Sequence, residues 1–371
     1  MRVRYSYLSQ QFSDPEEILQ AIRRHLLTCN FTLGPEVEEF ERSFASLIGA
    51  RYAVGVGSGT EALTLSLRAL GIGHGDEVIT AANTFIATVG AIHAAGARPV
   101  LVDVTPYFTI DPSRIERAIS PRTRAIIPVH LTGEAADMEP ILEIARRRKL
   151  FVVEDACQAI GAVYRAKAAG SMGILGAFSL HPLKNLNVWG DAGVIVTDDP
   201  NLNERLRLLR NHGLKNRDEV EILGVNSRLD TVQAIVGNWL LPQVGEITNR
   251  RIANAHFYDL ALEEIGGEMA LPPRRPDVRR VFHLYQIYAR HRDSLYRFLL
   301  EGGIEAKIHY PVPLPLQEGL RHLGYRKGDF PETERQAAAL ITLPVDQHLT
   351  QEELGYVVEV VREFQRSGAG E

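Results

Sequence analysis

The chain has 371 residues, 45% of them apolar and 23% charged, and a net charge of -5. That is ordinary globular usage; it excludes a mostly disordered chain and the basic surface that nucleic-acid binding needs. Two cysteines, Cys29 and Cys157, are too few for a disulfide framework or a cysteine-rich metal site, so a reducing compartment is expected.

The N-terminal run has no apolar core followed by a small-residue cleavage site, and no stretch approaches the ~18 apolar residues of a membrane span. A cytoplasmic protein is expected, with no membrane or nucleic-acid partner. Two helices are expected before residue 50, packing on the smaller domain or on a partner subunit. Tyr52 to Val56 reads as a strand, Thr60 to Leu70 as a helix, Glu77 to Thr80 as a strand and Thr84 to Ala95 as a helix. Strands follow at Pro99 to Val102, Arg124 to Pro128 and Leu150 to Glu154, with a helix at Met138 to Lys149. Such alternation predicts an α/β domain around a largely parallel sheet flanked by helices, with ligands at the carboxyl ends of the strands. Val194 to Val196 is a further strand, Asn201 to Asn211 a helix, and Leu229 to about Leu262 one long helix. After the breaker-rich Leu271 to Pro276 come a strand near His283 to Ala289 and helices at Ser294 to Glu301 and Gln351 to Phe364. These make a smaller α+β C-terminal domain, with the boundary near 240–275 and the division expected as 1–250 and 251–371. The polar tail from Arg366 to Glu371 is expected to fray.

Three segments carry chemistry. Gly57-Ser58-Gly59-Thr60 follows a strand and opens a helix, so it is either an anion site built from backbone N–H groups or a tight turn with a cap. Asp155 ends an apolar strand; it either meets a protonated ring nitrogen or caps a helix. Lys184 is one of only six lysines and lies in an apolar, small-residue stretch. There an amine is either nucleophilic, with a depressed pKa, or simply exposed. Together the three are the parts list for pyridoxal phosphate: phosphate, pyridine nitrogen and aldehyde. Phe85, at another strand end, either stacks on a flat ring or belongs to the core. The scattered histidines, His130, His181, His212, His283 and His309 among them, form no His-Glu-x-x-His pattern, so no metal site is expected.

The motifs, in order, resemble the DegT/DnrJ/StrS sugar aminotransferases of pyridoxal phosphate fold type I. They are Gly34 to Glu41, Gly57 to Thr60, Thr84-Phe85, Glu154 to Gln158, Ser179 to Lys184, Gly190-Asp191-Ala192-Gly193, and Asn226 to Asp230. The resemblance implies that Lys184 bonds the cofactor and shuttles protons, and that Asp155 faces the pyridine nitrogen. Gln158 would lie near the phenolic oxygen, Phe85 on the ring face, and Gly59, Thr60 and Ser179 at the phosphate. Asn226 would reach the phosphate from the other subunit, with Arg228 beside it, so the family's sites are shared across a homodimer. His309 and Tyr310 would lie near the substrate; Pro315 departs from the pattern, since many relatives with this segment carry a histidine there.

The implied reaction moves an amino group from L-glutamate, through the pyridoxamine form of the cofactor, to a nucleotide-linked keto-deoxysugar. Gly190 to Gly193, Asn226 to Asp230 and His309-Tyr310-Pro311 resemble the 3-amino group more than the 4-amino group. A 4-keto sugar or an inosose is the alternative acceptor. A sugar dehydratase relative would carry histidine at Lys184. A non-catalytic regulatory or binding protein is the alternative from a different class.

Overall fold

The computed structural model describes residues 1–263 and 269–367; most of the tail expected to fray, residues 368–371, lies outside them. Seven runs form the main sheet: β1 Tyr52–Val56, β2 Glu77–Ala81, β3 Arg98–Val102, β4 Thr123–Ile127, β5 Phe151–Asp155, β6 Leu175–Ser179 and β7 Gly193–Thr197. Their order is β1-β7-β6-β5-β4-β2-β3. The pairs from β6 to β3 are parallel, and β7 runs antiparallel to both its neighbours. The mostly parallel sheet expected from the alternating pattern is therefore present. Successive residues serve opposite faces. Ile126 and Val152 enter one core with Ile141 and Ile144, while Ala125, Ile127 and Val153 enter another with Leu63, Leu67 and Ile92.

The N-terminal helices, Glu16–Leu26 and Pro35–Ile48, are preceded by a single turn at Leu8–Gln11. Within this chain they pack on the main sheet rather than on the smaller unit. Phe40 and Phe44 join Phe178 and Val194 in a third core, with the Phe44 and Phe178 rings 5.1 Å apart. The run expected as one helix from Leu229 to Leu262 is two, Thr231–Leu240 and Val244–Glu263, joined by a 3-10 turn at Leu241–Gln243. Pro242 is the cause, because it lacks an N–H and its ring crowds the preceding turn.

The smaller sheet is antiparallel: Met269–Ala270, Tyr285–Ala289 and Leu340–Leu343. The helix Arg292–Glu301 packs on it, and Gln351–Arg366 packs on that helix and on Val244–Glu263. Gln351–Arg366 starts at a capping box, Thr350 with Glu353, which satisfies two backbone donors reciprocally. The core of this unit takes Val3 and Tyr7 from the far N-terminus beside Tyr258, Leu295 and Val357. Among the described residues no helix is long and apolar enough to cross a membrane.

Candidate active site

The carboxyl ends of β1, β2, β5 and β6 open onto one cavity of about 430 Å³. Ser58, at the end of β1, caps the helix Gly59–Ala69, its Oγ accepting from the Glu61 N–H at 3.2 Å. That leaves the N–H groups of Gly59 and Thr60, the first two of the helix, without an intrahelical acceptor at the positive end of the helix dipole. Gly59 is required by close approach: a Cβ there would lie 2.7 Å from Ser179 Cβ and 2.9 Å from Cys157 Sγ. Gly193, where β7 begins, would likewise meet the Ser58 carbonyl oxygen at 2.3 Å. The loop is thus pressed onto the sheet edge, with its donors turned to the cavity.

The two acids at the end of β5 divide by alternation. Glu154 is fully buried and accepts from the backbone of Gly170, Met172 and Gly173 and from His130 Nε2 at 2.8 Å. The Ala136 N–H donates to His130 Nδ1, which puts the His130 proton on Nε2. Glu154 is therefore structural. Asp155 faces the cavity, its Oδ1 accepting from the Cys157 N–H at 3.2 Å and its Oδ2 from Thr88 Oγ1 at 2.7 Å.

Lys184 follows β6 in a turn closed by its own N–H to the His181 carbonyl at 2.8 Å. Its side chain keeps some surface open to the cavity while being closely surrounded by protein. Burial lowers its pKa below the ordinary lysine value, against the opposing pull of Cys157 and Asp155. The Cys157 thiol is pushed well up by burial and stays protonated.

Of the residues singled out in the sequence, Gly59, Thr60, Phe85, Asp155, Gln158, Ser179, Lys184, His309 and Tyr310 all line this cavity. Phe85 is 51% exposed, its ring 6.0 Å from that of Tyr310, so it is no core residue. Gln158 is held by its Oε1, which accepts from the Thr132 N–H at 2.8 Å. Asn226 and Arg228 do not line it. Asn226 is exposed and Arg228 donates to Asn211 Oδ1 at 3.2 Å, while Ser227 between them donates to Glu61 at 2.6 Å. The lining also takes Thr84, His181 and Asp191 from the quoted motifs, and the structure adds Tyr5, Thr88 and His283. Thr88 was open to discovery by its i,i+4 spacing from Thr84; Tyr5 and His283 reach the site only through tertiary packing. Among the described residues, no group of three or more His, Cys, Asp or Glu is placed to hold a metal ion.

A sheet of this order with its cavity at the carboxyl edge is an aminotransferase architecture. The crystal structure of DesV from Streptomyces venezuelae in complex with a ketimine intermediate superposes with a TM-score of 0.95, at 42% identity, over 98% of both chains. Residues 13–362 match the DegT/DnrJ/EryC1/StrS aminotransferase family, and the chain belongs to that family. It is 43% identical to a pleiotropic regulatory protein of Geobacillus stearothermophilus over 97% of both chains. It is also 43% identical to the dTDP-3-amino-3,4,6-trideoxy-alpha-D-glucose transaminase of Streptomyces venezuelae, over 93% of this chain and 91% of that one.

Proposed function

We propose that this chain is a pyridoxal 5'-phosphate-dependent aminotransferase that moves the amino group of L-glutamate to C3 of a nucleotide-linked keto-deoxysugar. The observation that carries the reading is the single cavity lined by the Gly59-Thr60 helix start, Asp155 and Lys184. Each matches one part of the cofactor: the open N–H groups its phosphate, the carboxylate its ring nitrogen, the amine its aldehyde. When bound, the cofactor supplies an aldehyde that holds the travelling amino group and a ring that draws electrons from the carbon being deprotonated.

The protein's part is binding, orientation and proton movement. The Gly59 and Thr60 N–H groups, with the Thr60 and Ser179 hydroxyls, would hold the phosphate. Asp155, kept in place by Thr88 and the Cys157 N–H, would accept a hydrogen bond from the ring nitrogen and so keep the proton on it. Phe85 would take the ring face and Gln158 the phenolic oxygen, both from the cavity wall. Lys184 Nζ, its pKa lowered by burial, is the base that takes the proton from the donor's α-carbon and gives it up again. His309 and Tyr310 meet the substrate. We propose the division 1–250 and 251–371, crossed by the helix Val244–Glu263 and by Val3 and Tyr7, which pack into the core of the smaller unit.

Asn226 and Arg228 we assign to the site of a second subunit in a homodimer, because their loop is held by Glu61 outside their own cavity. The name of the Geobacillus relative favours a second reading, a regulatory role without catalysis. Retention of Lys184, Asp155 and Gln158 in one cavity weighs against it. The chain is taken to act in the cytoplasm. The test is incubation with ¹⁵N-labelled L-glutamate and, in parallel, a dTDP-linked 3-keto-6-deoxysugar, its 4-keto isomer and an inosose, with each product read by NMR. Label at C3 supports the proposal; label only at C4 of a 4-keto sugar, or only on an inosose, refutes it.

A further inference from the structure

His283 stands in the wall of the cavity just before the strand Tyr285–Ala289, and none of the roles assigned above uses it. Its Nδ1 is buried and has no hydrogen-bond partner. The ring is only partly buried, so Nε2 is the polar atom it can offer to the cavity. A buried N–H without an acceptor is rare in proteins, whereas an unfilled acceptor is better tolerated. The proton therefore belongs on Nε2. We infer that His283 is a further substrate-binding residue, donating a hydrogen bond from Nε2 to a carbonyl or hydroxyl oxygen of the acceptor sugar ring.

The surroundings say which substrate it serves. Burial, with Lys184 and Arg251 nearby, holds the imidazole well below the ordinary histidine pKa, so it is uncharged at neutral pH. Behind it, the Arg251 guanidinium is engaged by the Phe282 carbonyl, Gln347 and Asp346 and is not available to the cavity. Beside it are Tyr5, His309 and Tyr310. Burial pulls His309 down to about 4 and lifts Tyr310 to about 12, so these are neutral groups as well. A carboxylate is best met by a cation or by several charge-assisted donors. Apart from Lys184, whose amine is assigned to the cofactor, the groups around His283 on this wall are neutral donors and acceptors, which suit hydroxyl and carbonyl oxygens instead. That favours the sugar over L-glutamate as the molecule His283 touches, and a neutral hexose over a hexuronate.

The inference rests on the nucleotide-sugar reading, so the test separates the two half-reactions. With the pyridoxal form, L-glutamate and dTDP-3-amino-3,4,6-trideoxyglucose are each followed by the absorbance of the bound cofactor. His283→Phe should raise the half-saturating sugar concentration about tenfold, the usual loss for one hydrogen bond with its partner left unpaired. The glutamate half-reaction should be little changed. His283→Gln keeps an amide donor and should recover most of the loss. In a second readout, calorimetry on the cofactor-free protein should show the dTDP-amino sugar binding about tenfold more weakly to His283→Phe than to the wild type. Equal loss in both half-reactions, equal sugar affinity in both proteins, or a glutamine variant as impaired as the phenylalanine one would overturn the role. A wild type that reacts with glutamate but ignores the dTDP-sugar would instead refute the nucleotide-sugar reading, and this inference with it.

Discussion

Thr88 Oγ1 donates to Asp155 Oδ2 at 2.7 Å, and Thr84 Oγ1 lies 2.8 Å from Thr88 Oγ1. All three side chains are buried, so the carboxylate's orientation is set by a two-hydroxyl chain from the start of the helix Ile86–Ala94 rather than by solvent. A hydrogen bond to a charged group contributes about 1.5–3 kcal/mol. Thr88→Val should therefore weaken pyridoxal phosphate binding at least about tenfold in a fluorescence titration of the cofactor-free protein. Thr88→Ser should stay near wild type. A valine variant with unchanged affinity would show that Asp155 is held without Thr88.

Gly59 makes a second, steric test. An alanine Cβ would sit 2.7 Å from Ser179 Cβ and 2.9 Å from Cys157 Sγ, so the loop must lift from the sheet edge. Overpacking of this kind costs about 1–3 kcal/mol. Gly59→Ala should lower the melting temperature by a few degrees and weaken inorganic phosphate and cofactor binding together. Loss of stability with unchanged phosphate binding would separate the loop from the anion site.

Much of this arrangement was legible in the sequence, and the parts that were not share a physical cause. Strands such as Phe151–Asp155 announce themselves because the run is apolar up to the two acids at its end. Leu175–Ser179 hides because Gly176 and Ala177 carry little hydrophobic signal; a Cβ on Gly176 would meet the Gly170 carbonyl oxygen at 2.0 Å, so the position must stay small. The insertion of β7 between β1 and β6 is a long-range pairing that no local pattern encodes. The break at Pro242 was a local signal and should have divided the long helix. In the site, Lys184 and Asp155 lie in motifs, while Tyr5 and His283 arrive from opposite ends of the chain through packing.

The proposed sharing of sites between subunits can be tested by complementation. Each Lys184→Ala subunit can lend an intact Arg228, and each Arg228→Ala subunit an intact Lys184. A hybrid then has one complete site of two, and random mixing makes about half the dimers hybrid. The mixture should recover about a quarter of wild-type activity, measured against the inactive parents. No recovery in a demonstrated heterodimer, or full activity in a monomer, would contradict the assignment of Arg228 to the partner's site.

The cavity histidines also set a pH dependence. His309, held down to about 4 by burial, stays neutral in the fold across a range where the unfolded chain, with a pKa near 6.5, takes up a proton. The unfolded state binds more protons there, so this group's contribution is present above about pH 6.5 and is lost as pH falls towards 4. His283 acts in the same direction. The melting temperature should fall from pH 7 to pH 5, and His309→Gln should make that fall shallower. An unchanged slope in the variant would mean that His309 is solvated in solution.

The central claim is that transamination at this cavity is centred on Lys184. Its most direct test is borohydride reduction of the holoenzyme followed by peptide mapping. The account predicts the reduced cofactor on Lys184 and its absence from Lys184→Ala, which should keep its fold but lose turnover. Label on Lys149, Lys167, Lys215, Lys307 or Lys327 instead, or no fixed cofactor in an active enzyme, would contradict it.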